Sequence, residues 1–142
     1  MIWNTLRHFK ITERWGNPGE MNGLLLILLD EIRDRYGCQF IVVCGYAASG
    51  HVNKSQHYLG NAVDFYIKTS DTYHEQILKI EKILKELQVD DVVGLGIYPQ
   101  SNSKIFHLDV RGTFARWGYL YKDYCSYELA RDWAYKHPKE EK

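Results

Sequence analysis

Apolar and polar positions along this 142-residue chain follow two rhythms. From Asn17 to Gly37 the apolar residues recur every three or four positions, at Met21, Leu24, Leu25, Leu28, Ile32 and Tyr36. That spacing predicts a helix over 17–37 with one apolar face. Asn17 is placed to cap it, Pro18 suits a first turn, Glu20 stands three residues after the cap, and Gly37 ends it. The run QFIVVCGY (39–46) is β-branched and bounded by glycine, which predicts a buried strand. Residues 47–60, AASGHVNKSQHYLG, have loop composition. NAVDFYI (61–67) predicts the next strand, and Thr72 with Glu75 forms a capping box for a second helix. That helix carries Ile77, Ile80, Leu84 and Leu87 as its stripe, with Ile83 beside it. GLGIY (94–98) and IFHLDV (105–110) predict two short strands, joined through PQSNSK, which has hairpin-turn composition. A last amphipathic helix covers 126–136, and the tail HPKEEK reads as a solvated end. Helices interleaved with adjacent strands predict one α+β domain, a small, mostly antiparallel sheet flanked by helices.

The period-two rhythm also locates candidate chemistry. In NAVDFYI, Val63, Phe65 and Ile67 share one face, and Ala62, Asp64 and Tyr66 share the other. In IFHLDV, Phe106, Leu108 and Val110 share a face, and His107 and Asp109 share the opposite one. Each strand thus has an apolar side and a His/Asp side. Pairing the two brings Asp64 to His107, and the loop preceding Asp64 returns His57 to the same place. Two imidazoles and a carboxylate with an open fourth position make a catalytic zinc arrangement, and this donor mix suits zinc better than calcium or magnesium. Gly60 lets the loop turn tightly into the strand, and Ala62 leaves the face open. Zinc there would activate water and polarise a carbonyl. A proton acceptor is still needed. Asp109 can fill that role, or can orient a ligand histidine instead. His51, in the same loop as His57, can line the cleft, shuttle a proton or be solvated. His8, His74 and His137 read as surface residues.

Composition narrows the picture. Lysine plus arginine equals aspartate plus glutamate at 18 each, so no global field attracts nucleic acid. The 11 tyrosines and 4 tryptophans suit either a core or a cleft. Cys38, Cys44 and Cys125 form no CxxC pair, and their odd number leaves at least one thiol unpaired, as in a reducing compartment. The longest apolar run, LLLILL, is too short to span a bilayer, so no membrane partner is expected. MIWNTLRHFK lacks the pattern of a signal peptide. The expectation is synthesis in the cytoplasm with action at a cell wall, or export by a route the sequence does not show.

The stretch SQHYLGNAVDFYI fits S-x-H-x-x-G-x-A-x-D and resembles the zinc D-Ala-D-Ala peptidases and their relatives: murein endopeptidases, phage endolysins and the hedgehog signalling domain. GLGIYPQSNSKIFHLDVRGTFARWGY resembles the branch with G-x-G-x-Y-P, then F-H-x-D, then R-W, and the resemblance covers residues 9–118. It implies a hedgehog/DD-peptidase-like fold with one zinc ion (Zn2+) per chain, held by His57, Asp64 and His107. It implies hydrolysis of amide bonds in peptidoglycan stem peptides or cross-links, by an endopeptidase or a carboxypeptidase, and a monomer suits such an enzyme. Tyr46 in CGY, Ser55 of the motif, His51 and Arg111 are the expected substrate-binding residues, and Asp109 the candidate catalytic base. Two positions depart from the pattern. Relatives often carry S-G-Y-R where this chain has Ala47, with Arg111 or Arg116 as the candidates to supply the positive charge instead, and many carry an acid where it has Lys104. A phage lysis enzyme fits this reading. The alternatives are a zinc-stabilised binding module or a phage structural protein on the same scaffold.

Overall fold

The computed structural model describes residues 2–139. The end of the expected solvated tail, residues 140–142, lies outside the described residues. Six strands form one sheet: β1 (Gln39–Cys44), β2 (Ala62–Lys68), β3 (Gly94–Ile97), β4 (Phe106–Asp109), β5 (Ala115–Leu120) and β6 (Asp123–Cys125). The helices are α1 (Gly23–Tyr36), α2 (Tyr73–Glu86) and α3 (Tyr127–Lys136). The spatial order of the strands is β1-β2-β4-β3-β5-β6. The class is α+β, as the alternation of elements predicts, but the sheet is mixed rather than mostly antiparallel. β3 and β5 run parallel, while the other neighbours are antiparallel. The reason is topological. β4 already has β2 on one side and β3 on the other, so the chain leaving β4 passes β3 and pairs with its far edge. Strands β5 and β6 were not predicted, because the segment 111–125 carries neither β-branched runs nor clean alternation.

The helix expected over 17–37 is two elements. Asn17 caps only a 3-10 turn, Pro18–Glu20, by accepting from the Gly19 amide. Met21 then turns extended, and Asn22 caps α1, its Oδ1 accepting from the amides of Leu24 (2.8 Å) and Leu25 (3.3 Å). The buried face is Leu25, Leu26, Leu29, Ile32 and Tyr36, whereas Leu24 is 71% exposed. Each residue turns a helix by about 100°, so the expected stripe, begun at Met21, is rotated at its N-terminal end. The break between the two elements serves the site. The Asn22 amide donates to the Gly60 carbonyl (2.9 Å), and Asn22 Nδ2 to Asn61 Oδ1 (3.0 Å), which anchors the loop that enters β2.

The second helix matches its sequence signals. Thr72 and Glu75 complete both halves of the capping box, and Ile77, Ile80, Ile83 and Leu84 are buried. Val63, Phe65, Ile67, Leu95, Ile97, Phe106 and Leu108 join the helices in one hydrophobic cluster. On the opposite sheet face, register aligns two rows across β2, β4, β3 and β5. One is Asp64, His107, Gly96 and Trp117, and the other is Ala62, Asp109, Gly94 and Ala115. Among the described residues no helix is long and apolar enough to cross a membrane.

Candidate metal centre and its cleft

His57 sits on the 3-10 turn Gln56–Leu59, whose cap Ser55 accepts the His57 amide at 3.2 Å. The turn closes at Gly60, with φ +71°, where a Cβ would lie 1.8 Å from the Glu20 carbonyl oxygen. Only glycine allows that approach. The His57 side chain is buried, and its Nδ1–H donates to the Gly45 carbonyl at 2.7 Å. That bond satisfies Nδ1 and turns Nε2 toward Asp64 Oδ2, 3.2 Å away. From β4, His107 places Nδ1 3.1 Å from Asp64 Oδ1. Its Nε2–H donates to Asp109 Oδ2 at 2.7 Å. Donor atoms of His57, Asp64 and His107 all lie within 4.8 Å of one another.

This set passes the chemical test for a zinc centre. Both rings have their outer N–H satisfied, one by a backbone carbonyl and one by a carboxylate, and present their second nitrogen to Asp64. Without a cation those atoms share protons instead. Burial raises the Asp64 carboxyl, but the hydrogen bonds from His107 and His57 outweigh it and bring it down to about 2. Burial opposes charge on His57, yet Asp64 and Cys44 hold its imidazolium up to about 10. Cys44, His51 and His57 form a second convergent group, with Cys44 Sγ 3.6 Å from His51 Nε2 and 3.9 Å from His57 Nδ1. It is the poorer metal site, because the His57 nitrogen facing it carries the proton given to Gly45.

A cavity of about 420 Å³ opens on the His57, Asp64 and His107 cluster. His51 lines it, stacked on the His57 ring at 4.2 Å. Its backbone is clamped by Tyr58, whose hydroxyl accepts from the His51 amide and donates to its carbonyl. Ser55 and Arg111 line the cavity as well. The Arg111 guanidinium is committed to Asp109, through Nε to Oδ1 (2.8 Å) and Nη2 to Oδ2 (2.7 Å). Tyr46 is not brought to the cavity. Its amide donates to the Trp15 carbonyl at 2.7 Å and its side chain packs against the core. Arg116 points elsewhere, bonding the Val93 and Asp90 carbonyls.

Asp109 lies behind His107 rather than in the cavity. It is 0% exposed, and its two oxygens face Arg111 and His107. Burial works against its charge, but Arg111 and then His107 hold the carboxyl well below the usual range. Of the two roles the sequence leaves open for Asp109, this placement suits the orientation of His107. At the two positions that depart from the expected pattern, Ala47 donates its amide to the His57 carbonyl at 3.1 Å, and Lys104 gives its Nζ to the Pro99 carbonyl at 2.8 Å.

Sequence reading missed the aromatic wall formed by Tyr98, Trp117 and Tyr124. The available signal was GLG. A Cβ on Gly96 would lie 2.6 Å from the Trp117 indole, and one on Gly94 2.6 Å from the Asp109 carboxylate. The two glycines therefore clear space for these large groups beside His107. Trp117 in turn donates Nε1–H to the Tyr98 hydroxyl at 3.0 Å.

The profile of the family described as peptidoglycan L,D-endopeptidase MepK matches residues 3–117. No curated protein and no solved structure matches the chain.

Proposed function

Because the chain belongs to the peptidoglycan L,D-endopeptidase family, a family of zinc peptidases that act on peptidoglycan, we propose that it is a zinc-dependent endopeptidase cutting an L,D-amide bond in peptidoglycan cross-links. His57 Nε2, Asp64 and His107 Nδ1 are the proposed ligands, and residues 1–142 act as one peptidase domain. The observation that carries this reading is the convergence of those three groups with both outer ring nitrogens already bonded.

A bound zinc ion supplies Lewis acidity, which activates water and stabilises charge on the carbonyl oxygen of the cleaved amide. The chain's own residues supply position and exclusion. Asp109 holds His107 in the Nδ1-accepting tautomer, and Arg111 neutralises the buried carboxylate behind it. The Gly45 carbonyl accepts the Nδ1–H of His57 and leaves Nε2 as its accepting nitrogen. Asp109 is thereby a positioning residue rather than the base. Burial moves the Tyr98 phenol up to about 12, so it stays neutral, and its oxygen already accepts from Trp117. The phenolic proton is then free to be donated to a substrate carbonyl. Trp117 covers one side of His107 at 4.9 Å and keeps water off that ring. His51 and Ser55 form the opposite wall, next to the substrate backbone.

The test is digestion of purified peptidoglycan with zinc-loaded protein, followed by mass spectrometry of the released muropeptides. Cleaved L,D-cross-links with new amino groups are expected, and His57→Ala should lose both zinc and activity. A folded, zinc-loaded protein that releases nothing would overturn the reading.

A further inference from the structure

A second cavity, of about 320 Å³, lies between the β5–β6 hairpin and α3, and Tyr124 lines both it and the cavity over the metal centre. The family match stops at residue 117, so this hairpin tip, β6 and α3 all lie beyond the matched span. Through Tyr124, β6 nonetheless reaches the cavity over the metal centre.

The surface they build is aromatic and held in place. Tyr121 and Tyr124 are 74% and 54% exposed. Tyr121 and Lys122 form the two-residue connection between β5 and β6, and both have positive φ, +52° and +66°. Such turns favour asparagine and glycine, and a bulky aromatic residue in the left-handed region is uncommon enough to need a reason. Strained positions of this kind persist where the surroundings hold them, and they gather at binding sites. Here the surroundings are specific. The Tyr121 amide donates to Gln100 Oε1 at 2.8 Å, and its hydroxyl accepts from Trp133 Nε1 at 3.1 Å. Trp133 is itself stacked on His137 at 4.1 Å. Asp123, Asp132 and Lys136 edge the same groove.

We infer that this ledge binds the glycan strand of peptidoglycan while the attached peptide occupies the metal cleft. A pyranose ring presents an apolar C–H face to an aromatic side chain, and hydroxyl and acetamido groups to polar neighbours. Amphipathic Tyr and Trp with a few placed polar groups match that pattern. The occupant follows from continuity. The family's substrate is a peptide carried on a sugar polymer, and Tyr124 lines both the cavity over the metal centre and this groove, so the two adjoin. The fixed turn removes much of the ordering cost of presenting Tyr121.

The inference rests on the proposed activity only for the nature of the polymer, and its test separates the two. Wild type, Tyr121→Ser and Trp133→Ala are compared on intact peptidoglycan and on the same cross-linked peptide freed of glycan. Both variants should lose tenfold or more in kcat/KM on the intact polymer and stay within about twofold of wild type on the free peptide. Equal loss on both substrates, or no loss on either, overturns the inference. Peptide-free oligomers of N-acetylglucosamine and N-acetylmuramic acid give a reading independent of activity. They should change tryptophan fluorescence saturably, and Tyr121→Ser, which keeps Trp133 as reporter, should weaken that binding tenfold or more. Absence of saturable binding to wild type overturns the inference, as does a wild-type dimer that Trp133→Ala dissolves. If wild type cuts neither substrate but still binds the oligomers, the proposed activity falls and the glycan site stands.

Discussion

Asp109 is the residue whose role changes most between sequence and structure, since HxD on one strand face suits a base as well as it suits an orienting group. Its burial behind His107 and the two guanidinium bonds from Arg111 favour the orienting role. Asp109→Asn should therefore lower zinc affinity by about 10–100-fold, the usual effect of losing an outer partner of a ligand histidine. At saturating zinc its kcat should stay within about tenfold of wild type, because removing a general base costs about 10²–10⁴-fold. Zinc competition against a chelator, paired with turnover at high zinc, measures both quantities. A loss of several hundredfold in kcat with unchanged zinc affinity would restore Asp109 as the base. Gly96 makes a second residue-scale case. An added Cβ meets the Trp117 indole, so Gly96→Ala must push the ring that covers His107 and bonds Tyr98. Overpacking of this kind costs about 1–3 kcal/mol, readable in urea unfolding, and turnover should fall with it. A variant as stable and active as wild type would mean that Trp117 has room to move.

Elements explain how loop and sheet come to share one centre. The asparagine at position 22 caps α1 and also reaches across to Asn61, and its amide holds Gly60. Asn22→Ala should cost about 1–2 kcal/mol from the cap alone and should also loosen the turn carrying His57. Asn17→Ala, which unties only an exposed 3-10 turn, should cost less. Unfolding by urea, with zinc affinity measured on the same proteins, separates the two, and equal costs would argue that the break at residues 21–22 is unimportant. This element also shows where the sequence is legible. The capping box of α2 and the alternation in β2 and β4 could be read because each is a local pattern with one meaning. Asp64 and His107 were legible for the same reason, as each stands on the polar face of an alternating strand, and His57 lies in the loop that leads into β2. Asn17 and Asn22 stand five residues apart, and that the second rather than the first starts α1 is settled by contacts with Gly60 and Asn61 across the molecule. Strand β5 hid for a related reason. Arg116 stands on the strand face opposite Trp117, and its head is satisfied by Val93 and Asp90. Sequence alone could not tell Tyr98, Trp117 and Tyr124 from core aromatics, and register through Gly96 is what sets Trp117 beside His107.

For the whole molecule, the centre joins the loop anchored on α1 to β2 and β4 from the middle of the sheet. Folding gathers the ligands, so the free energy of binding a cation is partly free energy of folding. Zinc at a thousandfold excess over its Kd should add about 4.1 kcal/mol of stability, and a chelator should remove it. The pH dependence follows from the protons that the metal-free centre holds. His57 is raised to about 10, so its stabilising contribution is complete below the unfolded value of about 6.5 and is lost as pH climbs through 10. Asp64 is lowered to about 2, so its contribution is present above the unfolded value of about 3.9 and is lost as pH drops through 2. These two groups therefore stabilise the metal-free protein most between about pH 4 and 6.5. Zinc must displace the His57 proton to bind Nε2, so its affinity runs the other way and grows with pH. From pH 6.5 to 9 the metal-free Tm should decline while the increment added by zinc increases. Thermal unfolding at several pH values, with zinc and with chelator, reads both slopes. A zinc increment that stays level across that range would mean that His57 gives up no proton to the ion, and would take it out of the ligand set.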